Sequence, residues 1–455
     1  MHDLTKGNPL KLIILFTVPL LIGNIFQQLY SVIDTLIVGR IIGVNALAAV
    51  GSTGGLNMLI IGFCTGTTAG LSILTAQRYG AQDFKGVKRS FATSIVISVV
   101  ISIILTIISV IFARHILVIM KTPASIIVDA QKFITIIFAG IIASMAFNLL
   151  SNMIRALGDS RTPLFFLVIG VLINIVFDFI FILGFHMGVE GAGYATVSAQ
   201  VIAALLCLMY IYRHIPVLVL RRKDFKITRK DINEHLKVGL PMGFQSSIIA
   251  IGSIVLQIML NTLGASAVAA YTAAGKIDQL ATQVGNSFGI TLATYAAQNY
   301  GARQYHRISK GVQQTLAVSI IFSLVMGALI ITFGRPLVNL FIGNQQPHVT
   351  DLAQIYFRFN SSCYFILAIL FGIRYTLQGL GQSFMPTLAG IAELLMRIFA
   401  GIILVRTMGF TGASLANPLA WIGSCLVLFS SYFKTMRKLK QRAEKIDPDR
   451  STPEE

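Results

Sequence analysis

Two aspartates stand where an ionised side chain is costly. Asp34 lies in the run VIDTLI and Asp178 in LINIVFDFIFIL, and neither has a lysine or arginine four residues on. A charge at the centre of a bilayer costs about 2.5–3.5 kcal/mol on insertion scales, so each acid calls for a partner or a task. Asn174 precedes Asp178 by four residues and shares its helix face, and Thr196 stands early in the following apolar run. Two carboxylates, an amide oxygen and a hydroxyl are hard oxygen ligands suited to a small hard cation such as Na+. Carboxylates at close quarters also resist double ionisation, so the same set could instead share a proton. A purely structural reading, with the acids satisfied by hydroxyls and amides, stands beside both.

A second set of charges interrupts the later apolar runs. Lys276 and Asp278 in AAGKIDQLA are two apart, so they face different ways and cannot simply pair. Asp278 is suited to attract a cationic substrate, with Lys276 as its neutralising partner across a cleft. Glu393 and Arg397 are four apart, which favours a local ion pair and a structural role. Arg374 is expected to snorkel from a helix end.

These residues need helices to position them. The chain of 455 residues is 55% hydrophobic and 12% charged, with a mean hydropathy of +0.77, whereas soluble domains carry roughly 25% charged residues. Ser94 to Ala113 holds no charge, and about 20 such residues cross roughly 30 Å of hydrocarbon at 1.5 Å per residue. Strand alternation is lacking, so helices must satisfy the backbone. Twelve spans are predicted, over 10–36, 46–76, 89–113, 129–154, 162–184, 190–212, 238–262, 266–296, 310–333, 351–377, 385–406 and 412–433. The first of these starts within a stretch that mimics a signal peptide, but its apolar run continues past Pro19 to Tyr30, as a spanning helix does.

With the N-terminus in the cytoplasm, 26 of the 36 lysines and arginines fall in inside segments and six outside. That asymmetry places both termini inside and gives the net charge of +18 a topological cause rather than a nucleic-acid partner. Cys64, Cys207, Cys363 and Cys425 lie in apolar stretches without metal-binding spacing. The polar stretch 213–237 reads as a cytoplasmic linker, with an amphipathic helix on anionic lipid as one form it could take. It divides an N-lobe (1–212) from a C-lobe (238–435), followed by a charged cytoplasmic tail (436–455).

The lobes repeat one another. Gly43-VNALAAV aligns with Gly264-ASAVAAY and Ala76-QRYGAQ with Ala297-QNYGAR, both at an offset of 221. Arg155-ALGDSRTP aligns with Gln378-GLGQSFMP at 223, and Met187-GVEGAGYA with Met408-GFTGASLA at 221. Halves of six helices insert the same way, so the repeat is parallel, the arrangement of transporters that rock around a central cleft. Pro19 and Pro241, 222 apart, predict kinks in the first and seventh helices. The buried charges do not follow the repeat: Asp34 falls against Leu256 and Asp178 against Gly401, while Lys276, Asp278 and Glu393 fall against Gly55, Asn57 and Gly170.

The stretch Gln28-LYSVIDTLIVGRIIGVNALAAVG, with Pro19, Ala76-QRYGAQD, Arg155-ALGDSRTP and Gly188-VEGAGYAT, resembles the multidrug and toxic compound extrusion (MATE) family, in its prokaryotic branch with a first-helix aspartate. The resemblance spans roughly residues 5 to 435. It implies an all-α membrane protein of two pseudo-symmetric six-helix bundles that exports cationic or amphipathic drugs in exchange for Na+ or H+. It also implies that Asp34, Asn174, Asp178 and Thr196 form the N-lobe cation site, with Asn152 as a fifth polar residue. Gln28 joins Asp278, Lys276 and Glu393 as candidates to line the substrate cleft. A monomer in the plasma membrane, without cofactor, is expected.

No phosphate-binding loop of the Walker type and no HExxH motif occurs, and the seven histidines are scattered, which argues against direct ATP hydrolysis and against a metallo-enzyme. A channel has no need of two like lobes. The serious alternative is a lipid-linked oligosaccharide flippase of the same superfamily, for which more cationic side chains in the cleft would be expected.

Overall fold

The computed structural model describes residues 3–446 apart from 121 and 343–345. Helix dominates, and no strand occurs among the described residues. The first six predicted spans appear as α1 (Pro9–Ile37), α2 (Val44–Ser52 and Gly54–Gly80), α3 (Phe84–Ile119), α4 (Ile127–Ala139 and Ile141–Ala156), α5 (Arg161–Gly184) and α6 (Val189–His214). The second six appear as α7 (Arg229–Asn261), α8 (Ala265–Gly301), α9 (Tyr305–Ile342), α10 (Pro347–Gly379), α11 (Phe384–Met408) and α12 (Phe410–Ile446). Residues 447–455 of the expected tail lie outside the described residues.

By length and composition ten of these segments can cross a membrane, or eleven when the two pieces of α4, bent by 46°, count as one span. The expectation of twelve is met only if α8 is added. At 37 residues it is long enough, but it is rich in Ala, Gly, Thr, Asn and Gln. Most of its side chains from Ser287 to Asn299 are buried. A helix surrounded by other helices does not need an apolar surface, so lipid-facing composition underestimates it.

Helix α3 shows the converse. Val99, Val100, Ile103, Ile104, Ile107, Ile108 and Ile111 are exposed large hydrophobics, while Ser90, Ser94, Ser98, Ser102 and Ser109 are buried. Small polar residues face the bundle and branched apolar ones face outward, an inside-out pattern suited to lipid. Ser94 Oγ and Ser102 Oγ donate to the carbonyls of Ser90 and Val99 at 2.8 Å, whereas the hydroxyls of Ser98 and Ser109 meet no partner among the described residues.

The repeat is written in the backbone as well as in the sequence. Left-handed φ values occur at Gly43 and Gly264, Gln82 and Arg303, Gly158 and Gly381, and Gly188 and Gly409, the same offsets of 221 and 223 as the motifs. Gln82 and Arg303 both have φ of 58° although neither is glycine, so the turn after α2 and the turn after α8 share one conformation. π-helical turns recur too, at Phe179–Gly184 in α5 and Ala400–Leu404 in α11.

The chain divides into two compact units whose boundaries fall inside helices. The first is built from Val18–Ser247, the second from Leu4–Thr17 and the chain from Ile248 onward. In the first unit the start of α7 is fastened to α2 and α3. Arg78 Nη2 lies 3.4 Å from both Asp231 Oδ1 and Glu234 Oε2, and His235 Nε2 is 2.7 Å from Ser90 Oγ. A Cβ on Gly70 would come within 2.7 Å of Gly239 Cα, so only glycine permits this approach. In the second unit, Leu4 N donates to Gln298 Oε1 (3.2 Å), Arg307 Nη1 donates to Gly7 O (2.7 Å), and Thr17 Oγ1 donates to Thr291 Oγ1 (2.8 Å). Both α1 and α7 run as single helices through Pro19 and Pro241.

The stretch 213–237 does not form an amphipathic helix of its own. It comprises the end of α6, short 3-10 turns at Pro216–Leu218 and Arg222–Phe225, and the first turns of α7. Pro216 cannot continue a hydrogen-bonded helix, and Ile215 and Leu218 are buried, which pins the segment down instead.

Candidate functional site

In the first unit, two helical turns confront one another. Tyr30 and Asp34 are four apart on α1, and Asn174 and Asp178 are four apart on α5, so each pair projects from one face. Tyr30 Oη donates to Asn174 Oδ1 at 2.5 Å. Asn174 Nδ2 donates to Thr196 Oγ1 of α6 at 3.4 Å, and Thr196 Oγ1 donates to Ala192 O at 3.0 Å. The carboxyl groups of Asp34 and Asp178 lie close enough to act on each other electrostatically. Asp178 is 0% and Asn174 2% exposed.

The pair is short of donors. Both oxygens of Asp178 and Oδ1 of Asp34 are buried without a hydrogen-bond partner among the described residues, and no lysine or arginine there acts on either acid. An unpaired buried carboxylate is among the costliest groups a protein can hold. A proton shared between the two acids, or a small cation held between their oxygens, relieves that cost. The neutral oxygens of Asn174 and Thr196 complete a donor set with the chemistry of a hard monovalent cation.

The structure thus brings together Asp34, Asn174, Asp178 and Thr196, and adds Tyr30, which the sequence reading passed over. Its signal was available: Tyr30 precedes Asp34 by one turn, as Asn174 precedes Asp178. Asn152 has other partners. Its Nδ2 donates to Thr68 Oγ1 at 3.3 Å and its Oδ1 accepts from Arg155 Nη1 at 3.2 Å. Gln28 is half-buried on α1, and its side chain bonds to none of the described residues.

The second unit disposes of its charges differently. Asp278 Oδ1 accepts from Asn360 Nδ2 at 2.5 Å and from Tyr364 Oη at 2.6 Å. Lys276 is exposed and makes no ion pair among the described residues, so the expected Lys276–Asp278 neutralisation is replaced by neutral donors from α10. Glu393 pairs with Arg397, as four-residue spacing predicts, at 3.5 Å. It also pairs with Arg374 Nη2. Arg374 is 5% exposed and Glu393 3%, so Arg374 does not snorkel. It points inward because Glu393, nineteen residues on, offers a countercharge that sequence spacing cannot reveal. Glu393, expected beside a substrate, is enclosed by two guanidinium groups.

Fold and site together define a class: polytopic helical membrane proteins built from duplicated six-helix units, with ionisable side chains held deep in the helices, as in secondary transporters. The family model MatE matches residues 19–180 and 241–403, once in each half, and the chain belongs to the multidrug and toxic compound extrusion (MATE) family. It is 29% identical over 386 residues to the probable multidrug resistance protein YpnP of Bacillus subtilis, covering 84% of each chain. It is 21% identical over 383 residues to the multidrug export protein MepA of Staphylococcus aureus, again 84% of each. Among solved structures it is similar to an outward-facing multidrug resistance MATE transporter of the MOP superfamily, with a TM-score of 0.89 and 24% identity over 96% of this chain and 98% of that one. That likeness concerns the fold.

Proposed function

We propose that this chain is a secondary active multidrug exporter of the plasma membrane, exchanging cationic or amphipathic organic compounds for H+ or Na+. Asp34 and Asp178 take up the coupling cation, Asn174 and Thr196 supply neutral oxygens, and Tyr30 orients Asn174. The observation that carries this reading is the buried carboxylate pair with neither donor nor countercharge. The relatives named for multidrug resistance and export support the substrate class. The excess of lysine and arginine on one side supports cytoplasmic termini, and a monomer needs nothing further for the site.

Two unit charges 4 Å apart repel by about 4 kcal/mol at an effective dielectric constant of 20. Uptake of one cation removes that repulsion. Such a change can shift a two-state equilibrium by roughly a thousandfold, enough to make the loaded and unloaded first unit prefer different conformations.

The test uses purified protein in proteoliposomes, with H+ and Na+ gradients imposed separately and efflux of an organic-cation dye followed. We expect gradient-driven efflux for the native chain and at least a ~100-fold loss for Asp34→Asn and for Asp178→Asn, on the scale of the repulsion above. Undiminished ion-driven efflux in those variants would refute the assignment. Rescue of a strain lacking its lipid-linked oligosaccharide flippase would favour the flippase reading instead.

A further inference from the structure

We propose that Asp278, Arg374, Glu393 and Arg397 form one charge-neutral set that supplies the second unit with fixed internal cations, so that the first unit alone takes up the coupling ion. This deepens the reading of the chain as a cation-coupled exporter and rests on it. It concerns how many cations move per transport cycle.

Glu393 is the hub of the set. Its Oε1 meets Arg374 Nη2, and its Oε2 lies 3.5 Å from Arg397 Nη1. Arg374 also donates to Ser424 Oγ at 3.0 Å. All three charged side chains are at most 7% exposed. A guanidinium does not lose its proton in a protein, so two arginines around one glutamate leave a surplus of one positive charge in a closed interior. Such a surplus is strongly unfavourable unless another group balances it.

The balance lies along a hydrogen-bonded chain. Arg397 Nε donates to Asn417 Oδ1 at 3.4 Å, and Asn417 Nδ2 donates to Tyr356 Oη at 3.5 Å. Asn360 Nδ2 donates to Tyr356 Oη at 3.0 Å and to Asp278 Oδ1 at 2.5 Å. The chain begins at the guanidinium with the surplus and ends at a carboxylate lacking an ionic partner. Two acids and two guanidinium groups sum to zero. Tyr271 packs edge-on against Tyr356, with ring centroids 5.0 Å apart, and keeps the connection enclosed. Lys276, on the neighbouring stretch of α8, is exposed and stands outside the count.

In the first unit the two acids have no such arginines. Arg374 and Arg397 therefore do permanently in the second unit what an exchangeable ion does in the first. Arg397 is a positioning residue: it acts by holding the charge balance, not by touching substrate or ion.

The experiment is a charge-balance cycle on the full chain, read by thermal melting in detergent and by cations moved per dye molecule in proteoliposomes. Asp278→Asn leaves the set at +1 and Arg397→Gln leaves it at −1. Each is expected to lower the melting midpoint by roughly 3–5 °C, a scale set by the loss of one partner of a buried pair in a chain of this length. The double variant restores neutrality and is expected to recover at least half of the summed loss. The Asp278→Asn variant and the double variant are expected to keep the native number of cations per dye, while Arg397→Gln gains dependence on a second cation. Additive losses in the double variant overturn the charge set. A folded Asp278→Asn protein that moves fewer cations per dye overturns the confinement of coupling to the first unit. If the native chain shows no ion-driven efflux, the exporter reading fails, whereas the melting cycle still decides whether the four residues form one set.

Discussion

The two units share a scaffold and treat buried charge in opposite ways. Four of their left-handed turn positions match in register, among them Gln82 and Arg303. Their π turns match as well, at Phe179–Gly184 and Ala400–Leu404. The π turn of α5 begins directly after Asp178, whereas the position matched to Asp178 in α11 is Gly401, with no charge at all. π turns often mark functional sites, but here the turn belongs to the duplicated backbone and the carboxylate is an addition to it. Apolar pattern and glycines build the fold twice. A handful of polar residues then give one unit an uncompensated acid pair and the other a self-compensated set.

The largest effect should come from breaking the compensated side. Glu393→Gln leaves two buried guanidinium groups without their shared carboxylate. A cost of about 3–5 kcal/mol is expected, as for other buried pairs stripped of one partner, read as a pronounced drop in melting temperature. The opposite result is expected for Asp178→Asn in the first unit. Removing an acid that has no donor relieves the folded state, so the melting midpoint should stay level or rise even as ion-driven efflux collapses. Equal destabilisation by the two substitutions would erase the distinction between the units.

Much of this contrast is legible in the sequence, and the illegible part has one cause. The offsets of 221 and 223 foretell the paired turns, and the spacing of Asn174 to Asp178 foretells their common face. Glu393 and Arg397 are a helix turn apart and are found paired. Contacts that cross between helices are not recoverable that way. Asn360 and Tyr364 reach Asp278 from more than eighty residues along the chain, and Arg374 looks like a helix-end cation until Glu393 is seen beside it. Helix α8 falls short of a membrane composition because its surface is covered by other helices, a tertiary fact.

A smaller effect tests how finely the uncompensated side is tuned. Tyr30→Phe removes the phenol that donates to Asn174 Oδ1 and keeps the ring. The loss of one such bond is worth about 1 kcal/mol, or roughly a fivefold weakening of the apparent cation affinity, with the maximal efflux rate retained. A fall in maximal rate at saturating ion would give Tyr30 a part in the conformational step rather than in holding the site.

The smallest expected effect is the most useful for the count of charges. Lys276 lies two residues from Asp278, and sequence alone pairs them in a shared cleft. In the structure Asp278 is held by Asn360 and Tyr364, and Lys276 is exposed. Lys276→Gln should therefore change stability by less than about 0.5 kcal/mol, the range of surface substitutions, and leave efflux and its ion dependence unchanged. A strong effect would place Lys276 inside the charge set, raise its sum to +1, and require an exchangeable anion or a further acid in the second unit. A silent substitution leaves the four-residue balance intact, and with it the contrast between a unit whose buried acids lack a countercharge and one whose buried charges sum to zero.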